Sequence, residues 1–453
     1  MNGKIALIGA GSGMFSLNLV RDLCLAPGLS GMEVCLMDID PERLDGIHRF
    51  CVRYAAEVGA PLSVTKTLSR AEALAGASFV VHTALAASHA KLREGWAIAE
   101  RLGYRFGGSL QILHDEAFWI NFHQFRLMED ILLDIRRICP SAWYLVVANP
   151  VVTGITYLKR KYPDSNIVGM CHGFGAIYRL ADLLGLPKDG ISFESIGVNH
   201  FVFLNRFLFK GEDAYPLLDR WIREKSEAHF AKVWYSDFEG PMVVDLYRKY
   251  GLWPVGDTAT PGGGSWPWWY HTDDETAEAW REKPIEGYLG YFGWVESQAK
   301  RIREASARSD LRLTEEFPPQ ASGEPVVPLI EALHAGVERV VIVNILNDAE
   351  YVPGLPRDFA VEIPALCSAK GIQGIRCNPL PRQILSFVHR DKIAPCEMEL
   401  AAFEQGSYDL LLAMVMMDPF TRSERQAREL LDAILALEWN GAMREHYRRE
   451  PLR

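Results

Sequence analysis

The chain opens on a short apolar run, KIALI at residues 4–8. Small residues follow, and then a helical spacing of apolar positions from about Phe15 to Leu25. The same alternation recurs along the first half. Residues 33–37 (EVCLM) predict a buried strand ending at Asp38, and residues 41–58 a helix with Pro41 in its first turn. Residues 78–83 (SFVVHT) and 143–148 (WYLVVA) predict further strands, with a long amphipathic segment from about Ala117 to Ile138 between them. Asn149-Pro150 then leads into another helix, and runs at 166–170 (NIVGM) and 193–198 (FESIGV) continue the series. Strands alternating with helices at this spacing imply a parallel, doubly wound sheet.

After about residue 200 the character changes. Residues 201–320 are rich in aromatics and predict long helices, with an irregular Gly/Trp/Pro stretch at 253–271. Residues 325–348 and 358–364 predict strands or mixed elements, and 395–445 a continuous helical region. No internal repeat or flexible linker interrupts the chain. The expected fold is α/β: a Rossmann-like doubly wound domain over residues 1–200 and a second, mainly helical α+β domain over 201–453. The second domain is expected to close a cleft against the sheet and to carry the oligomer contacts of a homodimer or homotetramer.

Composition narrows the function. A chain of 453 residues is long for one small core, which fits two closely packed domains. A net charge of −10 argues against nucleic acid or an anionic membrane as partner. No apolar run approaches the ~20 residues of a spanning helix, and the start MNGKIALIGAGSG has no leader pattern. The eight cysteines (Cys24, Cys35, Cys51, Cys139, Cys171, Cys367, Cys377, Cys396) are scattered without a CxxC pair. They read as reduced thiols in a cytoplasmic protein.

Two features carry chemistry. Gly9-Ala10-Gly11-Ser12 follows the first strand and opens a helix, as a pyrophosphate-binding turn does. Met14 breaks the strict GxGxxG, so an ordinary glycine turn is the competing reading. Asp38, closing the second strand, stands where a carboxylate accepts from the ribose hydroxyls of NAD and repels the phosphate of NADP. The second feature is a pair of clusters at predicted strand ends, Cys171-His172-Gly173 and Asn199-His200, with Asn149 at a third such end. Singly these read as a buried thiol, a surface histidine and a satisfied core histidine. Jointly, beside a cofactor turn, they read as an active site in which thiolate and imidazole hold a divalent ion.

These stretches resemble glycoside hydrolase family 4 over nearly the whole chain. The matching segments are IGAGSGMFSLNLVRDL, LMDIDPERL, YLVVANP, VGMCHGF and GVNHFVFLNRF, then YGLWPVGDT with WWYH, SGE at 322–324, VVIVNILND and VEIPAL. Cys171-His172-Gly173 looks like the branch acting on unphosphorylated α-glycosides, since the phosphosugar branches have Asp or Asn where His172 stands. Met14 replaces the usual small residue, while Phe15 is retained. The segment 257–271 is expanded with extra tryptophans, which leaves the sugar open. Family 188, using the same chemistry on sulfoquinovosides, is an alternative. A plain NAD-dependent hydroxy-acid dehydrogenase and a non-catalytic NAD and sugar sensor are alternatives of other classes.

What the resemblance implies is a redox-assisted glycosidase outside the two-carboxylate scheme. NAD takes hydride from C3 of the sugar, a base removes the acidified C2 proton, the leaving group departs from C1, and water and hydride return. The implied cofactors are NAD and a divalent metal, expected to be Mn2+. Cys171 and His200 are the implied metal ligands, Asp257 the base, and His172 the donor of a proton to the leaving group. Gly9, Gly11, Ser12, Gly13, Met14, Phe15, Asp38 and Asn149 would hold the cofactor. Asn149, Asn199 and His200 would touch the sugar.

Overall fold

The structure, a computed structural model, describes residues 3–233, 239–259, 273–275 and 283–448. Most of the tryptophan-rich stretch, from residue 260 onward, including WWYH, lies outside the described residues. Six strands form the parallel half of the sheet: β1 (Lys4–Ile8), β2 (Glu33–Met37), β3 (Ser63–Thr67), β4 (Phe79–His82), β5 (Trp143–Val146) and β6 (Ile167–Gly169). Their order is β3-β2-β1-β4-β5-β6, all parallel, the doubly wound order of a dinucleotide-binding fold. The apolar runs of β1, β2, β4, β5 and β6 are continuous because both faces of these strands are buried, whereas the edge strand β3 is largely exposed. Ala6 and Ile8 join one core with Phe122 and Ile131 of the helix Phe118–Ile138. Ile5 and Leu7 join the other with Leu17, Phe50 and Tyr54 of the helices Met14–Cys24 and Pro41–Val58. The second of these has Pro41 at its first position, as the sequence predicts, and Asp40 caps it by accepting from the N–H groups of Glu42 and Arg43.

The rest of the sheet corrects one expectation. The strand predicted at 193–198 does not extend the parallel series. As β7 (Ile191–Val198) it forms an antiparallel hairpin with β8 (Phe201–Phe209), and only Asn199 and His200 separate them. Two residues cannot make the crossover that a parallel pair needs. β9 (Glu212–Asp213) and β10 (Trp253–Val255) both pair with β8. β11 (Arg339–Leu346) pairs with β12 (Ala360–Ser368) along its full length, and β13 (Gly371–Gly374) pairs with β12. β11 and β12 join the two halves, giving thirteen described strands in one sheet. The joints are narrow: Asn344 of β11 opposes Gly169 of β6, and Glu362 of β12 opposes Gly197 of β7. Since Asn344 also opposes Glu362, these four residues form one row across the sheet. A division at residue 200 falls within the β7–β8 turn. The region 395–445 is several helices, chiefly Ala394–Gln405, Tyr408–Met416 and Glu424–Leu435, the first ended by the left-handed Gly406.

His82, at the end of β4, has a consequence for stability. It is wholly buried, with Nδ1 at 2.8 Å from the Tyr144 hydroxyl and Nε2 at 3.0 Å from the Ala84 carbonyl. Burial pushes its pKa down to about 4, whereas the unfolded chain takes up this proton near pH 6.5. Its contribution is therefore intact above pH 6.5 and falls by ~1.4 kcal/mol per pH unit between there and 4. Between pH 7 and 4.5, urea unfolding of the native chain is expected to lose about 2–3 kcal/mol more than unfolding of His82→Gln. Equal losses would contradict a buried neutral imidazole.

Candidate active site

The glycine turn sits at the switch point between β1 and β4, where the strand order reverses. Gly9 has φ 95°, and a Cβ there would lie 2.5 Å from the Ala84 nitrogen. A short turn over Ala10–Ser12 and the left-handed Gly13 then lead into the helix Met14–Cys24. Asp38 reaches across from β2: its Oδ2 accepts from the Gly11 N–H at 2.7 Å and its Oδ1 from the Asp40 N–H at 3.0 Å. The Ser12 hydroxyl is buried and has no partner among the described residues. An orphaned donor beside a helix N-terminus fits a pyrophosphate, and Asp38 fits a ribose. Met14 and Phe15 are half-buried against the core beneath the turn.

The second centre forms where β6 and β7 end. Cys171 follows β6, and its thiol accepts from the Gly173 N–H at 3.4 Å. His200, held at φ 59° in the tight β7–β8 turn, is an uncommon left-handed non-glycine residue, a conformation that clusters at functional sites. Its Nδ1 faces Glu116 Oε1 at 3.0 Å, and its Nε2 faces Asp257 Oδ2 at 3.6 Å. Asp257 follows β10 in the turn Gly256–Ala259. Two local features fix that turn. Thr258 accepts from the Val202 N–H at 2.8 Å and donates to the Val202 carbonyl at 3.0 Å. Gly256 packs so closely on the loop after Cys171 that a Cβ would lie 2.6 Å from the Gly173 carbonyl oxygen.

The electrostatics of the pair are opposed and strong. Burial works against charge on His200, but pairing with Cys171 and Glu116 outweighs it and holds the imidazole pKa well above its usual value. Burial, then the negative field of Glu362, push the Cys171 thiol up, against the pull of His200. The thiol of Cys171, the buried imidazole of His200 and the part-exposed carboxylate of Asp257 are a donor set that fits a borderline divalent ion.

Of the remaining predicted residues, Asn149, at the cis bond to Pro150, donates to Asp115 Oδ2 at 3.2 Å. Asn199 donates from Nδ2 to Glu362 Oε2 at 2.9 Å and is wholly buried. His172 turns toward other partners: its Nδ1 is 3.7 Å from Glu324 Oε1, and its ring lies against Gly175 and Gly323. Cys171, Asn199, His200 and Asp257 thus come together, Asn149 joins them through Asp115, and His172 lies to one side.

Several site residues are absent from the sequence reading. His114, Asp115 and Glu116 present ligand atoms within 4.8 Å of one another, and Asp115 Oδ1 lies 2.6 Å from His114 Nδ1. Burial would raise the Asp115 pKa, but His114 leads a set of stronger partners that pull it down to about 2. The adjacent triplet His-Asp-Glu, just before a long helix, was the available signal. Lys392, in the π-helical turn Val388–Ile393, is 1% exposed and its ammonium has no hydrogen-bond partner among the described residues. Among the charges acting on it, Glu116 is the strongest. Burial, helped by the negative field of Glu116, pushes Glu399, hydrogen-bonded to Asn121 at 2.9 Å, up to about 8.

Known proteins match this arrangement from end to end. The model of the family 4 glycosyl hydrolases matches residues 4–186, and that of the family 4 glycosyl hydrolase C-terminal domain matches residues 195–421. An α-glucosidase of Erwinia rhapontici is 28% identical over 96% of this chain and 98% of its own. An α-galacturonidase of Thermoanaerobacterium saccharolyticum is 27% identical over 95% and 94%. Among solved structures, a 6-phospho-α-glucosidase from gut microorganisms, in complex with NAD and Mn2+, has a TM-score of 0.79 at 21% identity, covering 98% of this chain and 99% of that one. That last likeness establishes the fold. The two family matches span both halves of the sheet and take in the loops bearing Cys171, His200 and Asp257, so the chain belongs to family 4 of the glycosyl hydrolases.

Proposed function

We propose that this enzyme hydrolyses an unphosphorylated α-glycoside with NAD at the glycine turn and a divalent ion, Mn2+, between Cys171 and His200. The observation that carries the reading is the meeting of Cys171, His200 and Asp257, with Asp257 Oδ2 3.6 Å from the imidazole. When bound, NAD supplies reversible oxidation of the sugar at C3, and the ion supplies Lewis acidity at the neighbouring oxygens. Asp257 then takes the C2 proton; its carboxylate is 38% exposed and so opens toward a substrate. Asn149, fixed by Asp115, orients sugar hydroxyls, and Asn199, buried on Glu362, holds the turn that carries His200 toward them. His172 hands a proton to the leaving oxygen, with Glu324 as the carboxylate facing its ring.

The α-glucosidase and α-galacturonidase relatives support an unphosphorylated α-hexoside or α-uronide. They do not favour the sulfoquinovoside alternative, which is set aside. Nitrophenyl α-glucoside, α-galactoside, α-galacturonide and 6-phospho-α-glucoside, assayed with NAD and Mn2+, test the substrate class. Release from one of the first three is expected, and preference for the phosphosugar would overturn the reading of His172. The enzyme is further read as a cytoplasmic homodimer or homotetramer. The exposed Tyr291 and Trp294, stacked on one face of the helix Lys283–Ala307, support a covered face, and sedimentation of the pure protein tests it.

Asp38 gives a separate test of the cofactor. Asp38→Ala removes the carboxylate meant for the ribose hydroxyls, so NAD affinity should fall by about tenfold, with NADP binding unchanged or improved. Fluorescence titration with both dinucleotides checks this. Unchanged affinities would reduce Asp38 to a clasp on the Gly11 turn.

A further inference from the structure

The row Gly169–Asn344–Glu362–Gly197 crosses the joint between the two halves of the sheet. Its centre is an unusual group. Glu362 is 1% exposed, and its Oε2 accepts from both the Asn199 amide at 2.9 Å and the Asn344 amide at 3.0 Å. Its Oε1, and the Oδ1 atoms of both asparagines, are buried and have no partner among the described residues. Three orphaned acceptor oxygens in one buried cluster call for positive charge. A buried carboxylate held only by neutral amides is costly unless a cation faces it.

The nearby charges indicate which cation would face it. Glu116 faces His200 and lies in the field of Lys392, and Asp115 pairs with His114. Glu362 has no such ion pair among the described residues, and His200 is the cation whose field reaches it. It is tied to that ligand through Asn199, the residue before His200. A divalent ion bound by a Cys171 thiolate and a neutral His200 would keep one positive charge. Of the carboxylates around it, Asp257 is part-exposed and Glu116 and Asp115 have His200, Lys392 and His114 beside them, which leaves Glu362 as the buried carboxylate without such a partner.

We propose that Glu362 is a positioning residue of the metal centre, which balances the charge of the ion held by Cys171 and His200 and fixes the β7–β8 turn through Asn199. This rests on the reading of Cys171 and His200 as metal ligands. Charge and shape separate in two variants. Glu362→Gln keeps the shape and both amide contacts but loses the charge, and Glu362→Asp keeps the charge but shortens the reach.

The test is Mn2+ binding to the NAD-loaded protein, read from the electron paramagnetic resonance signal of free Mn2+, with NAD affinity as the control for folding. The expected result is binding weakened about 10- to 100-fold in Glu362→Gln, with Glu362→Asp closer to the native chain and NAD affinity unchanged in both. Native Mn2+ affinity in Glu362→Gln, or a weaker site in Glu362→Asp than in Glu362→Gln, would overturn the proposal, since packing alone favours the isosteric amide. Cys171→Ser distinguishes the two levels. If it abolishes Mn2+ binding while Glu362→Gln does not weaken it, only the role of Glu362 falls; if neither variant alters binding, the metal reading falls with it. Should Glu362→Gln not fold, Asn344→Ala, which removes one amide from the carboxylate, is expected to weaken Mn2+ severalfold, and unchanged affinity would overturn the proposal equally.

Discussion

Cys171→Ser is expected to lower kcat by about a thousandfold or more, because the Lewis acid is worth several kcal/mol at the transition state. The hydroxyl is nearly the same shape as the thiol but does not become an anion near neutral pH, so the ion loses a charged ligand. The fold should be intact. Cys171 lies in a loop after β6, and its thiol accepts weakly from the Gly173 N–H at 3.4 Å and pairs with the His200 imidazole. Thermal unfolding within a few degrees of the native chain, together with lost turnover and lost Mn2+ binding, is the expected combination. His200→Ala should match it in turnover but unfold more readily, since it also strands Glu116, a buried carboxylate that faces His200 Nδ1 at 3.0 Å. Native turnover in metal-stripped Cys171→Ser would remove the metal from the account.

Asp257→Asn is expected to reduce kcat by about 10²- to 10⁴-fold, the range for loss of a general base. The amide retains the side-chain volume and the turn clasped by Thr258, so KM should change little. A fall in kcat/KM equal to that in kcat is the signature of an interaction made in the transition state. Exchange of the C2 proton with solvent should fall at least as far. A rise in KM with kcat unchanged would make Asp257 a binding residue instead.

Some of this molecule was readable before any fold was in hand, for physical reasons that differ by element. β1, β2 and β4 bury both faces, so each appears as an uninterrupted apolar run between turn residues, and their order follows from the helices between them. The run FVFLNRFLF of β8 is equally apolar, yet a short apolar run does not distinguish strand from helix, and its partner β7 lies only two residues upstream. β11 and β12 insert between β6 and β7 from more than 140 residues later in the chain, a register that local pattern does not encode. The site divides in the same way. Cys171 and His200 stood out because each follows a strand and is a metal-type ligand. Glu362 sits near the start of β12, where a single polar residue in VEIPAL reads as one solvent-facing position, and only the row across the sheet shows it buried at the joint beside Asn199. Lys392 was hidden because a lysine in a helical stretch is ordinarily solvated, and the π-turn that carries it inward has no simple sequence mark.

Turnover in heavy water tests the central claim most directly. If Asp257 removes a proton from C2 before the bond at C1 breaks, the released sugar should carry one deuterium at C2. A substrate deuterated at C3 should keep that label in the product, and both results should require NAD. Hydrolysis that proceeds without NAD and leaves no solvent deuterium at C2 would contradict the account, because the bond would then break by direct displacement at C1.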